Sequence, residues 1–305
     1  MHFSASFAAI IATWAATVTA NTQSGSASST PSSSGSSSTA SGGKNWSFRD
    51  FNGENTDSWK AQWKVNQWAY PQPGATSNDN QNFDLVNNPT NSSEKVMQIF
   101  YPAGSWNPAD SSTIGGVGFY ATPLDIPSSA SNITFTYDAY FPAGFDFNKG
   151  GKLMGLYGGH SDCSGGKSAA ECFSTRFMWR TDGAAEVYAY LAKDKQVSNF
   201  CSETGVICND DYGDSLGRGS FSWGTGQWNS VTQVVGLNTP GKQDGTLVVT
   251  HNGKQIINMN NLYFRDSAFN VTGIDFETFF GGSTSDWASP TNQYAYFKGF
   301  QLNYQ

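Results

Sequence analysis

The chain has 305 residues and a formal net charge of -7, since 24 Asp and Glu outnumber 17 Lys and Arg. An acidic chain lacks the basic surface that nucleic acid requires, so a nucleic-acid partner is not expected. An anionic ligand would have to be bound by a local cluster of Lys and Arg, because salt screens the repelling long-range field over about 8–10 Å.

The first 20 residues have the pattern of a secretory signal peptide. An apolar run that ends at Trp14 is too short to span a bilayer, and it precedes a small-residue cleavage pattern that ends at Ala20. We therefore expect a secreted, extracellular protein that does not contact a membrane. Residues 21–43 consist almost wholly of Ser, Thr, Gly and Ala, which predicts a disordered linker because such residues cannot form a core.

Residues 44–305 are predicted to form one folded domain. Alternating apolar and polar runs bounded by Gly, Pro, Asn and Asp recur along it, and helix signals are sparse. In chain order, the predicted strands are 95–101, 116–120, 133–141, 152–157, 174–180, 185–191, 228–237, 245–251, 254–259 and 294–302. Asn252-Gly253 predicts a type I′ hairpin between two of them. We predict an all-β, monomeric protein: a β-jelly-roll sandwich of antiparallel sheets with a concave substrate groove.

The four cysteines form two pairs that are close in sequence. In an oxidising compartment this spacing predicts two local disulfides, Cys163 with Cys172 and Cys201 with Cys208. No CxxC spacing with histidine partners accompanies them, so no metal site is expected. The N-glycosylation sequons begin at Asn45, Asn91, Asn132 and Asn270.

Three strand-like runs carry the candidate catalytic residues. Lys152 lies in GGKLMGLYGG, Ser174 and Arg176 lie in FSTRFMWR, and Tyr188 and Tyr190 lie in AEVYAYL. Side chains two apart on a strand project from the same face. If the three runs are neighbours in one sheet, these side chains converge on one surface, and their chemistry suits an anionic sugar acid.

Cleavage of a uronate polymer by β-elimination needs three groups. A cation or strong donor neutralises the carboxylate beside C5, a base removes the C5 proton, and an acid protonates the departing O4. Lys and Tyr act as bases only when their pKa is lowered, and a nearby positive charge lowers both. We expect Arg176, helped by Ser174, to neutralise the carboxylate. Lys152 and one tyrosine of the pair are expected to share the two proton transfers.

These residues resemble the active-site pattern of polysaccharide lyase family 14, which includes glucuronan and alginate lyases with a β-jelly-roll fold. The likeness, to secreted fungal-type members, extends over GGKLMGLYGG, FSTRFMWR and TFFGGSTSDWASPTNQYAYFKGF and covers most of residues 44–305. It implies that Lys152 is the catalytic lysine and that the Ser-x-Arg and Tyr-x-Tyr pairs belong to the active site. It also implies a metal-independent elimination without a cofactor, with glucuronan as the first expected substrate and alginate as the second.

Three further residues are expected to contact the substrate. Arg180 lies on the same strand face as Arg176, where it binds a neighbouring uronate carboxylate or forms a salt bridge. His160 lies in a loop beside the sheet, and it either reaches the groove or bonds within the loop. Trp179 offers a ring for stacking on a sugar, although most Trp in such a sandwich lie in the core.

The sequence leaves two other functions open. A glycoside hydrolase on a related sandwich needs two carboxylates at a defined separation, and the nearest acidic pattern is Asp275-Phe-Glu277. A non-catalytic, lectin-like sandwich would also be rich in aromatic residues and glycine. The Lys, Arg and Tyr set argues against the lectin only indirectly.

Overall fold

The computed structural model describes residues 44–70 and 82–305. The predicted signal peptide and the linker of residues 21–43 lie outside these residues. The strands are β1 (Asn45–Phe48), β2 (Val65–Tyr70), β3 (Phe83–Asn88), β4 (Asn91–Tyr101), β5 (Val117–Ala121), β6 (Asn132–Phe141), β7 (Gly150–Gly159), β8 (Cys172–Arg180), β9 (Ala185–Tyr190), β10 (Val206–Ile207), β11 (Asp214–Leu216), β12 (Gln227–Gly236), β13 (Gly245–His251), β14 (Lys254–Leu262), β15 (Val271–Phe280) and β16 (Gln293–Tyr304). One short helix, α1 (Ser58–Gln62), precedes β2.

The strands form two antiparallel sheets. One has the order β14-β13-β12-β6-β16-β4-β3, with β1 paired to β16, and the other has the order β10-β11-β9-β8-β7-β15-β5-β2. Each predicted run coincides with one of these strands, and the prediction of an all-β sandwich of antiparallel sheets is confirmed. Asn252 and Gly253 have φ values of 47° and 79°, as a type I′ hairpin requires.

The core lies between the two sheets and is rich in aromatic rings. Tyr137 of the first sheet contacts Phe177 of the second with ring centroids 6.0 Å apart, and most of the core side chains are fully buried. A polar contact also crosses the core: the Thr175 hydroxyl donates to the Gln233 side-chain oxygen at 2.7 Å. Each sheet therefore has one face that is committed to the core, which leaves the opposite face of the second sheet for polar side chains.

A local irregularity places the middle of β7 close to β8. The register between these strands shifts between Lys152 and Gly155. A Cβ at Gly155 would lie 2.1 Å from the carbonyl oxygen of Thr175 and 2.6 Å from the Cα of Arg176. Only glycine fits there, so the bulge depends on this residue.

Both predicted disulfides are present, Cys163–Cys172 after β7 and Cys201–Cys208 before β11. In the described segments, no helix is long and apolar enough to cross a membrane.

The predicted glycosylation sites differ in accessibility. Asn45 and Asn91 are exposed, whereas Asn132 and Asn270 are half-buried. The Asn270 amide nitrogen donates to the carbonyl oxygen of Ile126 at 3.2 Å. Glycosylation stays a prediction at all four positions.

Candidate active site

The outer face of the second sheet brings the predicted catalytic residues together. Strands β7, β8 and β9 are neighbours in this sheet, and Arg176 pairs with Tyr188 while Ser174 pairs with Tyr190. Lys152 lies beside Met178, which is two residues beyond Arg176 on the same face. The predicted residues converge because side chains two apart on each of these neighbouring strands project from the same face of the sheet.

Lys152 lies on the groove wall, half-buried among aromatic rings. Its Nζ lies 5.5 Å from the ring centroid of Tyr188 and 5.4 Å from that of Phe279. Desolvation, followed by the positive charge of Arg176, holds the pKa of Lys152 well below its ordinary value, although Asp275 opposes this effect. A lowered pKa makes it easier for this lysine to reach the neutral amine form, which accepts a proton.

The two tyrosines are held by backbone groups of neighbouring loops. The Tyr188 hydroxyl accepts the N–H of Gly213 at 3.1 Å, and the Tyr190 hydroxyl accepts the N–H of Gly166 at 3.1 Å. The rings meet edge to face with centroids 5.7 Å apart. Burial, together with the neighbouring Tyr190, raises the pKa of Tyr188 above its ordinary value. Tyr188 therefore keeps its proton at neutral pH, which suits an acid better than a base.

Arg176 lies beneath the groove surface instead of facing the substrate. Its side chain is fully buried, its Nε lies 3.3 Å from Asp275 Oδ2, and its Nη1 forms an ion pair with Glu277. Direct binding of a substrate carboxylate, as expected from the sequence, does not fit this arrangement because the guanidinium is enclosed and faces two acidic partners. Ser174 is also fully buried, and its hydroxyl donates to the Cys163 carbonyl oxygen at 2.9 Å. Both residues build the floor of the site.

The three expected substrate contacts lie in different places. Arg180 lines the groove with its guanidinium 5.7 Å from the Tyr188 ring centroid. His160 is exposed just beyond Gly159, at the opposite end of β7 from Lys152, and its Nδ1 lies 2.6 Å from the Ser161 carbonyl oxygen.

The expectation for Trp179 is wrong. Its side chain is fully buried in the core, where the indole N–H donates to the Phe147 carbonyl oxygen at 3.1 Å and the ring packs against Phe280. A sugar cannot stack on a ring that is enclosed on all sides.

The groove itself is a cavity of about 400 Å³. Lys152, Arg180, Tyr188 and Tyr190 line it. Sequence reasoning missed further lining residues, namely Met178, Phe279 and Arg218. The alternation on β8 could have found Met178, whereas Arg218 lies in a loop without a periodic signal.

A second cavity of about 300 Å³ adjoins the first at Tyr190 and Tyr212, which line both. Lys167, Lys193 and Lys195 contribute to its lining together with several Asp side chains. The lined surface therefore extends past the tyrosine pair, as a site for an extended polymer would.

Comparisons with known proteins identify the family of this chain. The family model described as Polysaccharide lyase 14 matches residues 89–300. The crystal structure of the PL-14 alginate lyase from Aplysia kurodai is 34% identical with a TM-score of 0.72, and the match covers 85% of this chain and 98% of that one. The alginate lyase vAL-1 from Chlorella virus is 26% identical with a TM-score of 0.66, with coverage of 85% and 98%.

Two further matches are more limited. The endo-beta-1,4-glucuronan lyase from the fungus Trichoderma reesei shares the fold, with a TM-score of 0.51 at 9% identity over 79% of this chain and 92% of that one. Exolysin of Paramecium bursaria Chlorella virus 1 is 27% identical over 197 residues, which span 54% of this chain but only 28% of that protein. The family-model match and the relative from Aplysia together show that the chain belongs to polysaccharide lyase family 14 and is a polysaccharide lyase.

Proposed function

We propose that this enzyme cleaves a polymer of 4-linked uronates by β-elimination and leaves an unsaturated uronate at the new end. The observation that carries the proposal is the lysine on the groove wall. Lys152 has a lowered pKa and lies next to Tyr188, which holds its proton. A lysine that loses its proton more readily than usual and a protonated phenol on one surface supply the base and the acid that the elimination needs.

In this mechanism Lys152 removes the C5 proton and the tyrosine pair protonates the departing O4. Burial and the neighbouring Tyr190 raise the pKa of Tyr188 and so keep the proton on its hydroxyl until O4 departs. In a glucuronate chain the C5 proton and O4 lie on the same side of the ring. Lys152 and the tyrosines project from the same sheet face, so they approach such a ring from one side.

Alginate is the substrate that we place first, and glucuronan second. This order reverses the expectation from the sequence. The relative at 34% identity is an alginate lyase, whereas the likeness to the glucuronan lyase, at 9% identity, supports the fold alone. The anionic character common to both polymers agrees with the Lys and Arg side chains that line the groove.

The test uses the purified protein with polymannuronate, polyguluronate, glucuronan and a neutral glucan. Absorbance of the unsaturated uronate and release of reducing ends are followed together. The proposal expects both signals on at least one uronate polymer and neither on the glucan. Reducing ends without the absorbance would indicate hydrolysis, and binding without either signal would indicate a lectin; each result contradicts the proposal.

We also propose that the protein is secreted after cleavage at Ala20 and that residues 44–305 form the lyase domain. The two disulfides support this, because disulfides persist in oxidising compartments. Mass spectrometry of the protein recovered from culture medium tests it. A mature chain that still begins at Met1, or retention inside the cells, would contradict the proposal.

A further inference from the structure

Because Arg176 is held in buried ion pairs beneath the groove, the mechanism still lacks a group that neutralises the uronate carboxylate. Arg176 is paired with two carboxylates, Asp275 and Glu277. One positive and two negative charges give this group no excess positive charge to offer to a substrate. The elimination still requires that the uronate carboxylate be neutralised, so the cation for it has to come from another part of the groove.

A second cluster of charged side chains in the same groove has an excess of positive charge. Arg180 and Arg218 both bind the fully buried Glu186: Arg180 Nε and Nη2 donate to its Oε1 at 2.9 and 2.6 Å, and Arg218 Nε donates to its Oε2 at 2.6 Å. Ser215 completes the group, because its hydroxyl donates to Glu186 Oε2 at 2.9 Å and accepts from Arg218 Nη2 at 2.5 Å. Two guanidinium groups on one carboxylate leave an excess of one positive charge.

The two arginines are held in place and yet reach the groove. The Arg180 side chain is 18% exposed and the Arg218 side chain 36%, whereas Glu186 is inaccessible. Within the described part of the chain, the Nη1 of each guanidinium has no partner. Each arginine thus keeps donors for an incoming anion, and its shared anchor limits the conformational freedom that binding would remove.

The cluster adjoins the proposed catalytic groups. Arg180 Cζ lies 5.7 Å and Lys152 Nζ 5.5 Å from the same Tyr188 ring centroid. Arg180, Tyr188, Lys152 and Arg218 line one cavity. A sugar ring that presents its C5 proton to Lys152 is therefore within reach of the arginines through its own carboxylate or that of its neighbour.

We propose that Arg180 and Arg218, braced by Glu186, form a subsite for a uronate carboxylate next to the bond that is cleaved. This inference rests on the proposed function, since it assigns a substrate group to the same groove. Glu186 is a positioning residue that never touches the substrate. The alternative is a purely structural brace between β8, β9 and the loop after β11.

The main test compares Arg218→Gln with Arg49→Gln. Both variants lose one arginine charge, but Arg49 is exposed after β1, on the other sheet. For Arg218→Gln we expect KM on the uronate polymer to rise about tenfold or more, as for loss of a charge-assisted hydrogen bond, and Arg49→Gln should leave KM unchanged. Arg180→Gln should raise KM in the same direction.

Thermal melting separates the subsite from the brace. Lower melting temperatures with an unchanged KM in both groove variants would overturn the inference, because a brace affects stability alone.

A binding assay keeps this inference distinguishable from the proposed function. A uronate tetrasaccharide is titrated into Lys152→Ala and into Lys152→Ala with Arg218→Gln, neither of which needs to turn over. Weaker binding in the double variant supports the subsite, and equal binding overturns it. If the native enzyme makes no unsaturated ends from any uronate polymer, the proposed function fails, and this titration still decides the subsite.

Discussion

Replacing Arg176 by methionine tests whether this residue is a buried counter-ion or a substrate ligand. The Arg176 side chain has no exposed surface, and the side chains of Asp275 and Glu277 are 2% and 9% exposed. Removing one partner of a buried ion pair costs about 3–5 kcal/mol, because the remaining charge stays buried without compensation. We expect Arg176→Met to lower the free energy of unfolding by that amount.

The loss should depend on pH in a defined direction. Desolvation already raises the pKa of Asp275, while the positive charges of Arg176 and Lys152 oppose the increase. Without Arg176 the pKa of Asp275 rises further above the unfolded value of about 3.9. A carboxyl whose pKa is raised in the folded state contributes stability below the unfolded pKa, and this stability is lost as the pH rises through the folded pKa. The deficit of the variant should therefore be smallest in acid and grow toward neutral pH.

Urea unfolding, measured at several pH values, gives the free energies directly. Two comparisons sharpen the result: Arg49→Met, an exposed control expected to change stability by no more than about 0.5 kcal/mol, and Arg176→Met combined with Glu277→Gln. The double variant should recover part of the stability, because one of the buried charges is gone. A loss below about 1 kcal/mol that does not change with pH would refute the assignment of Arg176 as a buried counter-ion.

Three further predictions concern the base, the core and the first disulfide. Lys152→Ala should lower kcat by about 10²-fold or more in steady-state assays, whereas Lys95→Ala, on the other sheet, should leave kcat unchanged. Because burial lowers the pKa of Lys152, kcat/KM of the native enzyme should rise with pH and level off below the ordinary lysine pKa of about 10.4. Trp179→Ala should lower the free energy of unfolding, measured in urea, by about 3–5 kcal/mol and leave KM unchanged. A raised KM would indicate that the Trp179 ring contacts the substrate after all. Replacing Cys163 and Cys172 by Ala should lower the free energy of unfolding by about 2–3 kcal/mol. It should also reduce kcat, because the Tyr190 hydroxyl is held by Gly166 in the loop that this disulfide closes. Full activity would contradict a role of the disulfide in positioning Tyr190.

The sheet face that carries the site could be predicted because successive side chains of β7, β8 and β9 point alternately to the core and to the groove. The same alternation could have placed Trp179 correctly, since it is an odd number of residues from Arg176 and so faces the core. The prediction instead placed Trp179 in the groove, because a tryptophan ring can stack on a sugar.

The pairing of Arg176 could not be predicted, because its partners lie on a strand that the sequence did not reveal. Nearly every side chain of β15 is buried on one face or the other, so Asp275 and Glu277 lie among residues without a solvent-exposed face. That β15 pairs with β7 is a tertiary property. An arginine in an outward-facing pattern therefore looks like a ligand until the opposite strand is known.

Under the proposed function, the buried acids explain how an acidic protein binds an acidic polymer. With a net charge of -7 the whole molecule offers no long-range attraction to a polyanion, so selectivity depends on charges within a few ångströms. Asp275 and Glu277 offset Arg176 beneath the base, and Glu186 fixes two guanidinium groups beside it. Because the side chains of these acids are almost entirely buried, they have little direct contact with a substrate. In the proposed mechanism the groove thus combines a lysine base of lowered pKa with a pair of positively charged arginines beside it.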